Sequence, residues 1–105
     1  MMEEKKTILA DYGLPGSIFD LVAGEDNAQL DKWGYQTHDI FKWMAFITEE
    51  VGEMAKAISE YTFRDGTSKE IEREAVQVAT LALKVAHMIK GVSYRENRNG
   101  TDNGQ

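Results

Sequence analysis

The chain has no cysteine and a single proline among its 105 residues. Without thiols there can be no disulfide, no thiolate zinc site and no cysteine nucleophile, and the absence fits a reducing compartment. Positive charge is also scarce: 12 Lys and Arg stand against 18 Asp and Glu, for a net charge of −6. The basic residues are scattered, so the cationic face that phosphate neutralisation needs is missing and no nucleic-acid partner is expected. The longest apolar stretches look too short and too interrupted to cross a bilayer. The charged opening Met1-Met2-Glu3-Glu4-Lys5-Lys6 does not read as a signal peptide. The expectation is a soluble cytoplasmic protein with no membrane partner. No alternating run is long enough to argue a strand, and there is no internal repeat.

What remains is helix. Hydrophobic residues make up 42% of the chain, enough for one small domain, whose high ratio of surface to volume favours self-association. Residues 3–12 could form a short helix ended by Gly13-Leu14-Pro15-Gly16, and Ser17 to Ala23 is ambiguous. A helix beginning with the acids Glu25 and Asp26 is expected to stop at Gly34, with Thr37 or Asp39 capping the next one. From Asp39 to Tyr61, Ile40, Met44, Ile47, Val51, Met54, Ile58 and Tyr61 recur at helical spacing. A second stripe, Trp43, Phe46, Glu50, Glu53 and Ala57, runs beside it. Asp65-Gly66 is a turn, and Thr67-Ser68-Lys69-Glu70 matches a capping box. A last helix follows to Gly91, with Ile71, Ala75, Val78, Ala82, Val85 and Ile89 along its centre and Arg73, Thr80 and Lys84 on its polar side. The expected organisation is a lead segment (1–24), a helical domain (25–94) and a disordered tail (95–105). The fold class is all-α: an antiparallel hairpin of long helices with an N-terminal helix across it, completed by oligomerisation.

Carboxylates sit where this pattern asks for apolar side chains. Glu50 and Glu53 share one stripe, and Glu74 with Gln77 lies at the same i, i+3 spacing on the next helix. Glu pairs at helical spacing usually belong to a solvated face, but these fall on the apolar stripes of two consecutive helices, which a hairpin would bring level. Carboxylates crowded in a half-buried site repel one another and resist desolvation. A hard cation with oxygen ligands relieves both, and Mg²⁺ suits one or two carboxylates plus waters and substrate phosphates.

Glu49-Glu50-Val51-Gly52-Glu53 followed by Glu74-x-x-Gln77 resembles the MazG-like all-α nucleoside triphosphate pyrophosphohydrolases, whose signature is Glu-Glu-x-x-Glu on one helix and Glu-x-x-Asp on the next. The segment Lys32-Trp33-Gly34-Tyr35-Gln36-Thr37-His38 and Trp43 look like the short bacterial and phage members. The likeness spans about residues 26–91. It implies hydrolysis of (deoxy)nucleoside triphosphates to monophosphate and pyrophosphate with Mg²⁺ (or Mn²⁺), in nucleotide-pool control or house-cleaning, by a homo-oligomer. Carried over by position, Glu50, Glu53 and Glu74 would ligate metal. Glu49 would bind a further metal, or orient or deprotonate the water. Gln77 replaces the Asp of the general signature; its amide oxygen can ligate but brings no charge. Trp33, Gln36 and His38 would border the nucleotide: Trp33 stacks on the base or is a core aromatic, and His38 bonds the nucleotide or sits near solvent. Lys56 and Lys84 could meet phosphates but read as solvated, and His87 has no role. The competing expectation is a non-catalytic helical module that binds nucleotide or protein.

Overall fold

The structure, a computed structural model, describes residues 8–104, with side chains to Arg98. It contains three helices, α1 (Gly16–Trp33), α2 (Ile40–Phe63) and α3 (Ser68–Gly104), and no strand among the described residues.

The N-terminal third departs from expectation. Of the helix expected over 3–12, residues 3–7 lie outside the described residues and 8–12 are not helical. Ile8 and Leu9 are almost fully exposed, and a helix that short is marginal without packing. The Pro15-Gly16 turn begins a helix instead of ending one. Pro15 is extended (φ −73°, ψ 158°), and its carbonyl accepts from Ile18 N at 3.1 Å. From there α1 runs unbroken through Gly24, so the boundary placed at 24/25 falls inside it. A glycine inside a helix costs only about 1 kcal/mol. Gly34 stops α1 as expected: at φ 69° it takes the left-handed conformation, and its N–H bonds Leu30 O at 2.8 Å.

Asp39 caps α2 by accepting from Lys42 N at 2.9 Å. At the far end Arg64 N and Gly66 N both donate to Glu60 O, at 2.9 and 3.1 Å. The chain folds back so tightly that a Cβ on Gly66 would lie 2.7 Å from backbone atoms of Glu60 and Tyr61. Thr67 supplies half of its capping box, its Oγ1 accepting from Glu70 N at 3.3 Å. Glu70 pairs with Arg73 instead of reaching back. The stop expected at Gly91 is overridden: α3 continues to Gly104 and draws the stretch expected to be disordered into a helix. No proline follows Gly91 to break the chain, and Arg98 lies over the Tyr94 ring four residues before it.

α3 packs against both other helices. Its contacts climb as those on α2 descend: one cavity joins Glu60 and Glu53 to Glu70 and Glu74, and a second joins Glu50 and Phe46 to Gln77 and Leu81. The inward side of α2 is therefore the stripe of Trp43, Phe46 and Glu50. Among the described residues Trp43, 4% exposed, is the buried hydrophobic residue, and Thr80, at 1%, is the buried polar one. The expected polar side of α3 is thus partly covered, by α1. Conversely, Ile40, Met44, Val51 and Ile58, expected in the core, are 42–57% exposed. The accessible surface, 8538 Å², far exceeds the roughly 5900 Å² of a compact monomer of this mass. By length and composition alone, Ser68–Arg98 of α3 is apolar enough to cross a membrane, with a window of mean hydropathy 1.2. Its apolar residues are interleaved with polar ones, so no unbroken apolar run marks it in the sequence.

Candidate functional site

Glu50 and Glu53 leave α2 one turn apart, as do Glu74 and Gln77 on α3, and the register of the two helices sets the pairs opposite each other. With its amide nitrogen turned to the acids, Gln77 donates to Glu50 Oε2 at 2.7 Å and to Glu74 Oε2 at 3.1 Å. The Glu50 carboxyl is held above its ordinary value, first by burial, then by the close approach of the Glu74 carboxylate, and then by the negative charges of Glu74, Glu49 and Glu53. Glu50 therefore sits in the field of three neighbouring carboxylates. Even so, no three Asp, Glu or His side chains among the described residues are gathered closely enough to hold a metal ion. The intimate group is two carboxylates and one amide, whose nitrogen faces the acids. Two carboxylates match what Mg²⁺ takes from a protein when phosphates and waters complete its shell.

This group lies where two cavities meet. On one side is a cleft of about 350 Å³ whose walls include Glu49, Glu50, Gln77, Trp33 and Gln36, with Glu25 and Gln29 of α1 opposite. On the other is a larger hollow of about 950 Å³ reached by Glu53 and Glu74, with Lys56, Arg64 and Arg73 on its surface. The expected site residues thus divide. Glu49, Glu50 and Gln77 face the cleft, whereas Glu53 and Glu74 face the hollow. Trp33, at the end of α1, is 56% exposed and so is no core aromatic; Lys32 Nζ sits 4.7 Å from its ring centre.

His38 starts the approach to α2. It is half-buried and does not line the cleft. Its ring packs edge-on against Trp43 (centroids 5.2 Å) and Phe46 (5.1 Å), and those two rings meet at 5.7 Å. His38 Nε2 and Trp43 Nε1 are buried without a hydrogen-bond partner. Glu25 and Gln29, which with Trp33 recur every fourth residue on α1, were not among the expected site residues. That face lay within the expected helix, but nothing in its pattern tied it to the acids of α2 and α3. Lys84, read as solvated, instead binds α1: its Nζ is 3.2 Å from Asp26 Oδ1.

Comparison with protein-family models, with curated proteins and with solved structures finds no match to this chain.

Proposed function

We propose that the chain is a Mg²⁺-dependent nucleoside triphosphate pyrophosphohydrolase of the MazG-like all-α kind, active in the cytoplasm as a homo-oligomer in which α2 and α3 form an antiparallel hairpin. The observation that carries this reading is the convergence of Glu50, Glu74 and Gln77 from two helices at the edge of a cleft walled by Trp33. The base occupies the cleft, with Trp33 stacking on it and Gln36 bonding its edge, and the phosphates lie over the acids. Glu50 and Glu74 would hold the cation, with Glu53 moving in as a third ligand since no three acids are gathered among the described residues, and Mn²⁺ could serve in place of Mg²⁺. When bound, the cation neutralises phosphate charge and lowers the pKa of water. Glu49, on the exposed lip of the cleft, orients or deprotonates the attacking water. Gln77 holds the two carboxylates through its amide nitrogen, or turns to offer its oxygen as a ligand. His38 braces Trp43 and Phe46, at the edge of the region expected to meet the nucleotide.

The crowding of acids around Glu50 is what a divalent cation would relieve, since like charges that raise a carboxyl's pKa also favour a cation among them. Product analysis tests the reading. A panel of (d)NTPs with Mg²⁺ should give monophosphate and pyrophosphate, and excess EDTA should stop the reaction. Orthophosphate with diphosphate, or full activity in EDTA, overturns it. One observation favours a second reading: no three acids are gathered for a metal among the described residues. On that reading the chain is a non-catalytic helical module that binds nucleotide or protein. Nucleotide would then raise the melting temperature without turnover.

A further inference from the structure

Lys84 projects from α3 and is 24% exposed on its side chain. Its Nζ donates to Gln29 Oε1 at 2.6 Å and pairs with Asp26 Oδ1 at 3.2 Å. Gln29 in turn donates through Nε2 to Glu25 Oε2 at 2.7 Å. The ammonium has taken the amide oxygen, so the Gln29 nitrogen must turn toward Glu25. One cation therefore fixes both the position of α1 and the direction in which Gln29 and Glu25 present their polar atoms.

Little else holds α1 so directly. None of its residues is buried. Among the described residues its backbone approaches α3 but not α2. Even against α3 it spans a hollow of about 650 Å³ bordered by Val22, Leu30 and Leu83, with Asp26 and Lys84 beside it. Yet Glu25 and Gln29 form the wall of the cleft that faces Glu49 and Glu50 of α2. The width of that cleft is thus set by how α1 sits on α3.

We propose that Lys84 is a positioning residue: it ties α1 to α3 and holds the Glu25–Gln29 wall in the arrangement that receives the base. The proposal rests on the pyrophosphohydrolase reading for the identity of the ligand, but not for the tie itself. Lys84 touches neither the acids nor Gln77, so its loss leaves the reacting end in place. Without it the wall is ordered for only part of the time, and affinity falls by that fraction.

The test compares Lys84→Met, which keeps the length of the stem, with Lys84→Arg and Asp26→Asn in the full chain. Hydrogen exchange over residues 16–33 should speed up roughly tenfold in Lys84→Met, as expected when charge-assisted hydrogen bonds are lost. Asp26→Asn should move it the same way by less, and Lys84→Arg should restore most of the protection. With the best nucleotide of the panel, KM should rise about tenfold while kcat stays within about twofold, the split expected when binding alone is lost. Discrimination between bases should fall together with KM. Unchanged exchange in α1 overturns the tie, and a loss confined to kcat overturns its positioning role. If Lys84→Met does not fold, Asp26→Asn and Lys84→Arg decide by the same readouts. If no nucleotide is hydrolysed, the functional reading fails while the exchange data still judge the tie.

Discussion

The two sides of α2 carry nearly the same apolar content and meet opposite surroundings. The stripe of Trp43, Phe46 and Glu50 turns toward α3 and includes the buried indole at the centre of the molecule. The stripe of Ile40, Met44, Val51 and Ile58 turns away and stays open. A helix apolar on both sides is normally buried on both sides. A single chain can cover only one of them, and the side it covers is the one interrupted by acids. The inward face is where chemistry is placed, and the outward face is the one our proposal gives to a second copy.

The largest expected effect falls on the inward face. Glu50→Gln and Glu53→Gln should each cut Mg²⁺-dependent hydrolysis by about 100-fold or more, since even outer partners of a metal can cost that much. Initial rates with pyrophosphate detection measure it. Activity within about tenfold of the unmodified protein in both variants would detach the acids from the reaction.

Stability separates the faces next. Trp43→Ala should cost about 3–5 kcal/mol, the range for emptying a buried aromatic site, in urea unfolding. Met44→Ala, on the outer stripe, should cost under about 0.5 kcal/mol if that face is solvated. If a second copy covers it, the loss should reach about 2 kcal/mol and deepen on dilution, because an assembly's stability depends on protein concentration. Val51→Asp sharpens the contrast: sedimentation should show a smaller species than the unmodified chain. An unchanged sedimentation coefficient would return the outer stripe to solvent.

These contrasts also explain what the sequence made legible. The period of apolar residues located α2 and most of α3, and the i, i+3 acids placed Glu50, Glu53, Glu74 and Gln77 on facing helices. Asp39 and Gly34 were readable because capping is local chemistry, decided within one turn. Which apolar stripe faces inward was not readable, since Met44 and Phe46 are equally apolar and only packing against α3 chooses between them. The seat of α1 on α3 half-buries Lys84 and borders the buried Thr80, both assigned to solvent by periodicity alone. Pro15-Gly16 punctuation fits either side of a helix, so the sequence did not show that α1 begins there. The two halves of the acid cluster were legible as a group, but their division between two cavities depends on side-chain direction and was not.

The smallest effect probes the inward face without catalysis. Burial and neighbouring carboxylates raise the Glu50 pKa in the folded state, so ionising it opposes folding. Below the ordinary value of 4.5 both folded and unfolded chains hold the proton, and the cost is absent. As pH rises through the folded-state value, the unfolded chain gives up its proton more readily, and stability is lost. Glu50→Gln removes the group that ionises. In EDTA its melting temperature should exceed that of the unmodified protein at pH 7, and the gain should vanish as pH falls to 4.5 and below. With Mg²⁺ the order should reverse, because a cation that binds the folded chain stabilises it in proportion to its affinity, and Glu50 is one of its ligands in our proposal. A gain of the same size with and without Mg²⁺ would mean that the crowded acids hold no cation. The inward face of α2 would then differ from the outer one only in being covered.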